Sequence, residues 1–221
     1  MNLVASWICK IFLKPFVGKF LIKDFKGKNF IPKNVNFILA SNHQSHLDWL
    51  PSGYICVPRR FTFLGQVDRY KGLSALARSF LYFIAGVIPV NRKSDESKKS
   101  SLIRTVKAIK DGNIIIIYPE GTRSRTEKIG KGKLGIAALV IKTGVLVLPV
   151  GIKGTFGLLP PGGKLKIEKK VKINIGPPLY FKEEIKESKN IKEGSEEYKK
   201  ILIKITDKMM ASIAELKEEI L

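Results

Sequence analysis

The chain has 221 residues, 44% of them hydrophobic, so it is long enough for one domain with a sizeable core and too apolar to be disordered. Forty lysines and arginines face 19 acidic residues, a formal net charge of +21 that is concentrated in the first two thirds of the chain. Such an excess favours an anionic partner: a phosphorylated substrate, an anionic lipid surface or a nucleic acid. A lysine-rich solvated surface is the simpler alternative. The two cysteines, Cys9 and Cys56, indicate neither a disulfide framework nor a zinc site, which fits a reducing, cytoplasmic setting.

The first 30 residues combine six aromatic side chains and six lysines with a single acid. Phe12, Phe16 and Phe20 recur every four residues, which predicts a helix with aromatics along one side, and Pro15 is expected to split or kink it. Aromatics flanked by lysines are typical of a segment lying in a membrane interface, although a helix packed on the domain is the alternative. We predict an amphipathic membrane-interface segment at 1–30 and a globular domain at 31–221.

Strands and helices alternate through the rest of the chain. Short apolar runs predict strands at 37–40, 61–64, 87–90, 114–118 and 145–150, and a late hairpin-like pair at 165–167 and 171–175. Helical patterns cover 72–85, 94–111, 133–143, 182–194 and 195–216. The order of these elements predicts an α/β fold with a mixed, largely parallel sheet flanked by helices. None of the apolar stretches reaches the ~20 residues of a transmembrane helix, and the start of the chain does not resemble a signal peptide.

Both histidines lie in the segment Asn42-His43-Gln44-Ser45-His46-Leu47-Asp48, directly after a predicted strand, where α/β folds usually place their sites. On a tight turn, the Asp48 carboxylate would hold one ring nitrogen of His43 and leave the other free to accept a proton. Two alternatives stay open. One is a capped helix start with two incidental histidines. The other is a metal-dependent hydrolase with His43, His46 and Asp48 as ligands.

A second polar segment, Tyr118-Pro119-Glu120-Gly121-Thr122-Arg123-Ser124, follows the strongest predicted strand. Its proline and glycine indicate a rigid turn, and basic residues then dominate as far as Lys133. Arginine suits bidentate contact with phosphate, and the glycines that follow would let the backbone approach a ligand, so an anion site is predicted here. A mobile basic loop is the alternative. Arg92 emerges from another apolar strand and is expected to point into a cleft.

Together these segments resemble the four motifs of the glycerolipid acyltransferase superfamily, typified by 1-acyl-sn-glycerol-3-phosphate acyltransferase. The first motif is matched at Asn42, His43, Ser45 and Asp48. The others are matched, in the family's order, at 86–92, 118–124 and 147–150. There are two departures. A tyrosine, Tyr118, stands where the family often has phenylalanine, and the aromatic-Lys-x-Gly turn after the third motif lacks its aromatic.

The resemblance implies a role for each matched residue. His43 would deprotonate the acceptor hydroxyl, which attacks an acyl thioester directly, and Asp48 would orient His43 and steady its positive charge. Arg92 and Arg123 would bind the acceptor phosphate. The implied substrate-binding set is Arg92, Glu120, Gly121, Thr122, Arg123 and Lys133, with Lys131 as the alternative to Lys133 because the register of the last turn is ambiguous.

The resemblance also implies the reaction. The expected enzyme moves an acyl group from acyl-CoA or acyl carrier protein to the sn-2 hydroxyl of 1-acyl-glycerol-3-phosphate, giving phosphatidic acid. It would need no metal or cofactor and would work at the cytoplasmic face of an anionic membrane. Another lysolipid or glycerol phosphate is the alternative acceptor. A nucleic-acid-binding protein is the remote alternative, because charge is its only support and the sequence contains no recognition motif for nucleic acid.

Overall fold

The computed structural model describes residues 3–65, 86–91, 94–159 and 164–220. Within these ranges, seven strands form one sheet in the order β1-β7-β6-β2-β5-β3-β4. Neighbouring strands are parallel except for β6 and β7, which are antiparallel. This confirms the predicted α/β fold with a mixed, largely parallel sheet. The strands are β1 Ile22–Lys26, β2 Phe37–Ser41, β3 Phe61–Gly65, β4 Ile88–Pro89, β5 Ile114–Ile117, β6 Leu146–Lys153 and β7 Val171–Ile175.

Helices cover both faces of the sheet, and several begin and end where the sequence indicates. The Ser94 and Ser195 hydroxyls accept the backbone N–H of the third residue of the helices they precede, and Gly144 ends another helix with φ 67°. The helices are α1 Leu3–Ile8, α2 Lys14–Phe20, α3 Trp49–Cys56, α4 Asp95–Lys110, α5 Gly135–Thr143, α6 Lys182–Ser188 and α7 Glu196–Glu218. None of the helices in the described ranges is long and apolar enough to cross a membrane.

The core lies in two layers, one on each side of the sheet. Ile114 and Ile116 of β5 pack in the layer covered by α2 and α3. Ile115 and Ile117 pack in the layer that contains residues of α4, α5 and α7. All four isoleucines are buried, as expected for a parallel strand without alternation.

Three local predictions differ from the structure. Residues 165–167 form no strand, because β7 pairs with β1 and β6 instead. β1 itself was not predicted; it lies within 1–30 and joins the sheet, whereas the division of the chain at residue 30 stays a prediction. The predicted split at Pro15 is wrong, because a π-helical turn, Cys9–Leu13, connects α1 and α2 without a break and Pro15 lies in the first turn of α2; the alternative, a kink at Pro15, stays a prediction. The predicted helix at 72–85 lies outside the described residues.

The topology brings the two polar segments of the sequence together. Ala40 of β2 pairs with Ile117 of β5, and Ser41 of β2 pairs with Val150 of β6, so these parallel strands end at one edge of the sheet. Both polar segments begin at this edge, His43 after β2 and Glu120 after β5. We call it the active-site edge below.

Candidate active site

The loop after β2 is fixed to the sheet by an asparagine. The Asn42 side chain donates to the Ile152 carbonyl and accepts from the Ile152 N–H, both at 2.8 Å. These two bonds resemble the backbone hydrogen bonds of a strand pair and extend the contact with β6 beyond the end of β2. They hold the next residue, His43, at a defined place. Asn42 is buried, so this pair of bonds is not exchanged with water.

The Asp48 carboxylate is bound from three directions. Its Oδ2 lies 2.7 Å from His43 Nδ1 and accepts the backbone N–H groups of Gln44 at 2.6 Å and Ser45 at 2.8 Å. Ser45 caps the short 3₁₀ turn that carries Asp48, and its hydroxyl accepts the Leu47 N–H. Asp48 is only 1% exposed. The two backbone N–H bonds hold its carboxylate in place. The spacing of five residues thus gives the predicted histidine–carboxylate pair.

The His43 ring is held flat against Tyr118. The two rings stack with centroids 4.1 Å apart and an interplanar angle of 10°. The Tyr118 hydroxyl lies 3.2 Å from the Ser52 hydroxyl, and burial, together with the charge of Asp48, raises the pKa of Tyr118 well above its usual value. Because Nδ1 faces Asp48, Nε2 is the ring nitrogen of His43 that lies away from this carboxylate. Tyr118, a departure from the phenylalanine common in the third motif, provides this stacking contact.

Glu120 connects the two motifs. Its Oε1 accepts the His43 N–H and its Oε2 accepts the Gly130 N–H, each at 2.8 Å. The side chain is buried. Both oxygens are engaged by backbone donors, so these contacts favour a positioning role for Glu120 toward His43 and the following loop.

The basic segment starts with a tight turn that folds it back over His43. Gly121 donates to the Tyr118 carbonyl at 3.0 Å and has φ 70°, which suits a glycine in the last position of the turn. The Ser124 N–H donates to the His43 carbonyl at 2.8 Å, and the Lys133 N–H donates to the Pro119 carbonyl at 2.8 Å. The loop between them is therefore closed at both ends beside the histidine.

The cationic side chains of this loop are open to solvent. Arg123 is partly exposed, Thr122 and Lys133 are exposed, and none of the three forms an ion pair with a residue that the structure describes. Two glycines serve packing instead of a ligand: a Cβ on Gly130 would lie 3.2 Å from a Glu120 carboxylate oxygen, and one on Gly132 would lie 2.6 Å from α7. Arg92 lies outside the described residues.

Sequence reasoning missed two residues that hold this loop. The Glu127 carbonyl accepts from Gln44 Nε2 at 2.9 Å and also from Lys217 Nζ, and Glu127 has φ 60°, an unusual value for a residue other than glycine. Lys217 lies on α7, far along the chain, and has no local sequence signal. Gln44 lies inside the first motif, and its contact with Glu127 joins residues 83 positions apart, so the local sequence does not predict it.

The metal alternative gains no support from the geometry. Within the described ranges, no three histidine, cysteine, aspartate or glutamate side chains are grouped so that they could hold a metal ion, and this covers His43, His46 and Asp48. What the site does contain is a histidine hydrogen-bonded to a buried carboxylate, next to a cationic loop.

Comparisons with known proteins place the chain among acyltransferases. The family model described as Acyltransferase matches residues 23–153. A chloroplast 1-acyl-sn-glycerol-3-phosphate acyltransferase of Brassica napus is 28% identical over 79% of this chain and 50% of its own. The enzyme of that name from Borreliella burgdorferi is 33% identical over 58% of this chain and 50% of its own. The chain thus spans about half the length of these relatives.

A solved structure shares the fold. The crystal structure of the 1-acyl-sn-glycerophosphate acyltransferase of Thermotoga maritima superimposes with a TM-score of 0.64 at 24% identity, covering 95% of this chain and 81% of the other. At this identity, the likeness supports a shared fold.

Proposed function

The chain belongs to the acyltransferase family, whose model matches residues 23–153, and from that premise we propose that it is an O-acyltransferase that uses a lysophospholipid acceptor. The proposed reaction moves a fatty acyl group from an acyl thioester to the sn-2 hydroxyl of 1-acyl-glycerol-3-phosphate and yields phosphatidic acid. The observation that carries it is the His43–Asp48 pair at 2.7 Å with the Arg123 loop bonded to the His43 carbonyl through Ser124.

The proposed chemistry follows from the geometry of the pair. His43 Nδ1–H donates to Asp48, so Nε2 carries the lone pair that takes the proton of the acceptor hydroxyl. The hydroxyl oxygen attacks the thioester carbonyl carbon, and the C–S bond breaks as the tetrahedral intermediate collapses. The thiolate leaves with its electron pair, and the His43 proton passes to it or to water. A general base of this kind contributes about 10²–10⁴ in rate.

The acceptor is proposed from the charge of the loop. Arg123 and the lysines around it lack an ion-pair partner within the described residues, as expected of side chains that bind a phosphate. Arg92 and Lys133 are proposed to complete the site with Thr122 and the Gly121 turn. Two relatives named for 1-acyl-sn-glycerol-3-phosphate support this acceptor.

The N-terminal helix offers a surface for the membrane that holds such substrates. One side of it packs on the domain through the buried residues Ser6 and Val17. The other side exposes a row of large apolar side chains, among them Phe12 at 71%. Lysines lie beside these rings, with Lys10 Nζ 4.3 Å from the Trp7 ring centroid. The exposed row is Trp7, Ile8, Ile11, Phe12, Phe16 and Phe20.

An apolar helix face bordered by lysines binds an anionic bilayer in its interface, because the rings enter the acyl region while the lysines meet headgroup phosphates. We therefore propose that α1 and α2 bind the cytoplasmic face of a membrane containing anionic lipid. The thioester donors, acyl-CoA or acyl carrier protein, are water-soluble and anionic and would approach from the solvent side.

An acceptor panel tests the proposed function. Purified protein with anionic vesicles is given a long-chain acyl-CoA or acyl carrier protein donor and, in parallel, 1-acyl-glycerol-3-phosphate, glycerol 3-phosphate and an uncharged lysolipid. Phosphatidic acid acylated at sn-2 is the expected product, and chelator should not reduce its rate. If only glycerol 3-phosphate gave a product, the proposed acceptor would be wrong and glycerol 3-phosphate would be the acceptor. Loss of all activity in chelator would favour the metal-dependent mechanism instead.

A further inference from the structure

The segment 164–170, just before β7, exposes two aliphatic side chains among lysines. Leu165 and Ile167 are each 54% exposed. Four lysines and one glutamate make up the other five positions, so the segment has a formal charge of +3. Single exposed apolar side chains are common on protein surfaces, so the position of this segment in the fold decides its meaning.

This segment lies beside the end of the N-terminal helix. The N–H of Val171, which begins β7, donates to the Leu21 carbonyl just after α2, at 2.9 Å. The Lys166 N–H donates at 2.8 Å to the carbonyl of Leu158, which is buried in the same core layer as Leu21. Leu165 is six residues before Val171, a reach of at most about 20 Å. The two exposed aliphatic side chains therefore lie within this distance of the end of α2, which exposes Phe16 and Phe20.

The segment also lies at the active-site edge. β6 is parallel to β2 and antiparallel to β7, so the beginning of β7 and the end of β2 lie at the same edge of the sheet, where β6 ends. The Asn42 side chain, one residue before His43, bonds to Ile152, and Ile152 pairs with Ile173 of β7. Trp49, directly after Asp48, is a further exposed aromatic on the loop side of this edge.

We propose that the segment 164–170 is a second membrane-contact element, and that it acts with α1 and α2 to seat the active-site edge on an anionic bilayer. Leu165 and Ile167 enter the acyl region while the neighbouring lysines meet headgroup phosphates. The occupant follows from charge complementarity and from continuity with the apolar side of α2. The inference rests on the proposed function, because it extends the membrane surface proposed for the N-terminal helix.

This placement has a consequence for substrate access. With a second contact at the start of β7 in addition to the N-terminal helix, the protein would not pivot freely about that helix. The headgroup of a lysolipid would then lie at the level of the cationic loop after β5, within reach of His43, without leaving the bilayer surface.

Fluorescence quenching tests the contact directly, because the chain has only two tryptophans, Trp7 and Trp49. In a background with Trp7→Phe and Trp49→Phe, one probe is introduced by Ile167→Trp. The matched control is Ile103→Trp, at a position 69% exposed on α4, which packs on the other layer. Vesicles of phosphatidylglycerol and phosphatidylcholine, with and without brominated acyl chains, are added without substrate. The Ile167→Trp probe should shift to the blue and be quenched by brominated lipid, and the Ile103→Trp probe should do neither.

A second measurement uses binding strength. The double variant Leu165→Ser, Ile167→Ser should bind the same vesicles more weakly. The binding constant measured by flotation should fall roughly tenfold for each side chain, because aliphatic area that is buried in the membrane is lost. Ile103→Ser should leave flotation unchanged. Quenching of Trp7 in the Trp49→Phe variant, without quenching of the Ile167→Trp probe, would overturn the second contact and leave the helix surface standing. Quenching at neither site would overturn both. Because no substrate is present, failure of the reaction would not change either readout.

Discussion

Replacing Asp48 with asparagine separates the charge of the pair from its shape. The asparagine oxygen can occupy the Oδ2 position and still accept from Gln44, Ser45 and His43, because all three present N–H groups there. The amide nitrogen would then take the place of Oδ1, which is buried and has no hydrogen-bond partner in the described part of the chain. A new buried, unpaired donor costs about 1–3 kcal/mol of folding free energy.

The catalytic loss should be larger than the loss of stability. In the transition state, His43 is a cation, and two unit charges about 4 Å apart interact by about 4 kcal/mol at an effective dielectric constant of 20. Loss of that interaction predicts about a 10³-fold fall in kcat. The assay is acyl transfer to 1-acyl-glycerol-3-phosphate, with thermal unfolding as the check on folding. The matched control is Asp111→Asn, an exposed aspartate paired with Lys107, which should retain activity. A folded Asp48→Asn variant within tenfold of the parent rate would refute the charge-stabilisation reasoning.

Three further predictions concern the surroundings of the pair. Tyr118→Phe should keep the stacking on His43. Because the pKa of Tyr118 is raised in the folded protein, the parent should lose stability more steeply than this variant as pH rises above about 10, where an unfolded tyrosine ionises. The free energy of unfolding is measured with urea at several pH values, and an equal fall with pH in both proteins would contradict this. Lys217→Met removes a donor from the Glu127 carbonyl, so amide exchange in the cationic loop should quicken and the KM for the acceptor should rise more than kcat falls; unchanged exchange would exclude a positioning role. Arg123→Met should raise the KM for the acceptor roughly tenfold or more, for loss of a charge-assisted bond of about 1.5–3 kcal/mol, and leave the KM for the thioester nearly unchanged.

Much of the fold and the core of the site could be predicted from local sequence. The four isoleucines of β5 signal a doubly buried strand whatever their partners, and Ser94 and Ser195 cap helices through bonds to residues three positions on. The His43–Asp48 contact was equally predictable, because five residues on a capped turn bring the two side chains together.

The remaining features depend on contacts between distant parts of the chain. β1, with the sequence IKDFK, carries three charged residues, and it is a strand because β7 supplies its hydrogen bonds. The contact of Lys217 with the Glu127 carbonyl joins residues 90 positions apart, and the sequence around either residue does not predict it. For the same reason, the exposed aliphatic residues 165 and 167 were assigned to a strand, since their alternation suits a sheet margin as well as a surface contact.

The most direct test of the central claim compares the two histidines of the chain. His43→Ala and His46→Ala each remove one imidazole from the same loop, and His46 is exposed and takes no part in the proposed chemistry. Both variants are assayed for phosphatidic acid formed from a long-chain acyl thioester and 1-acyl-glycerol-3-phosphate on anionic vesicles. We expect the rate to fall by a factor of about 10²–10⁴ for folded His43→Ala and to stay near the parent rate for His46→Ala. Phosphatidic acid formed by His43→Ala at the parent rate would contradict the assignment of His43 as the general base.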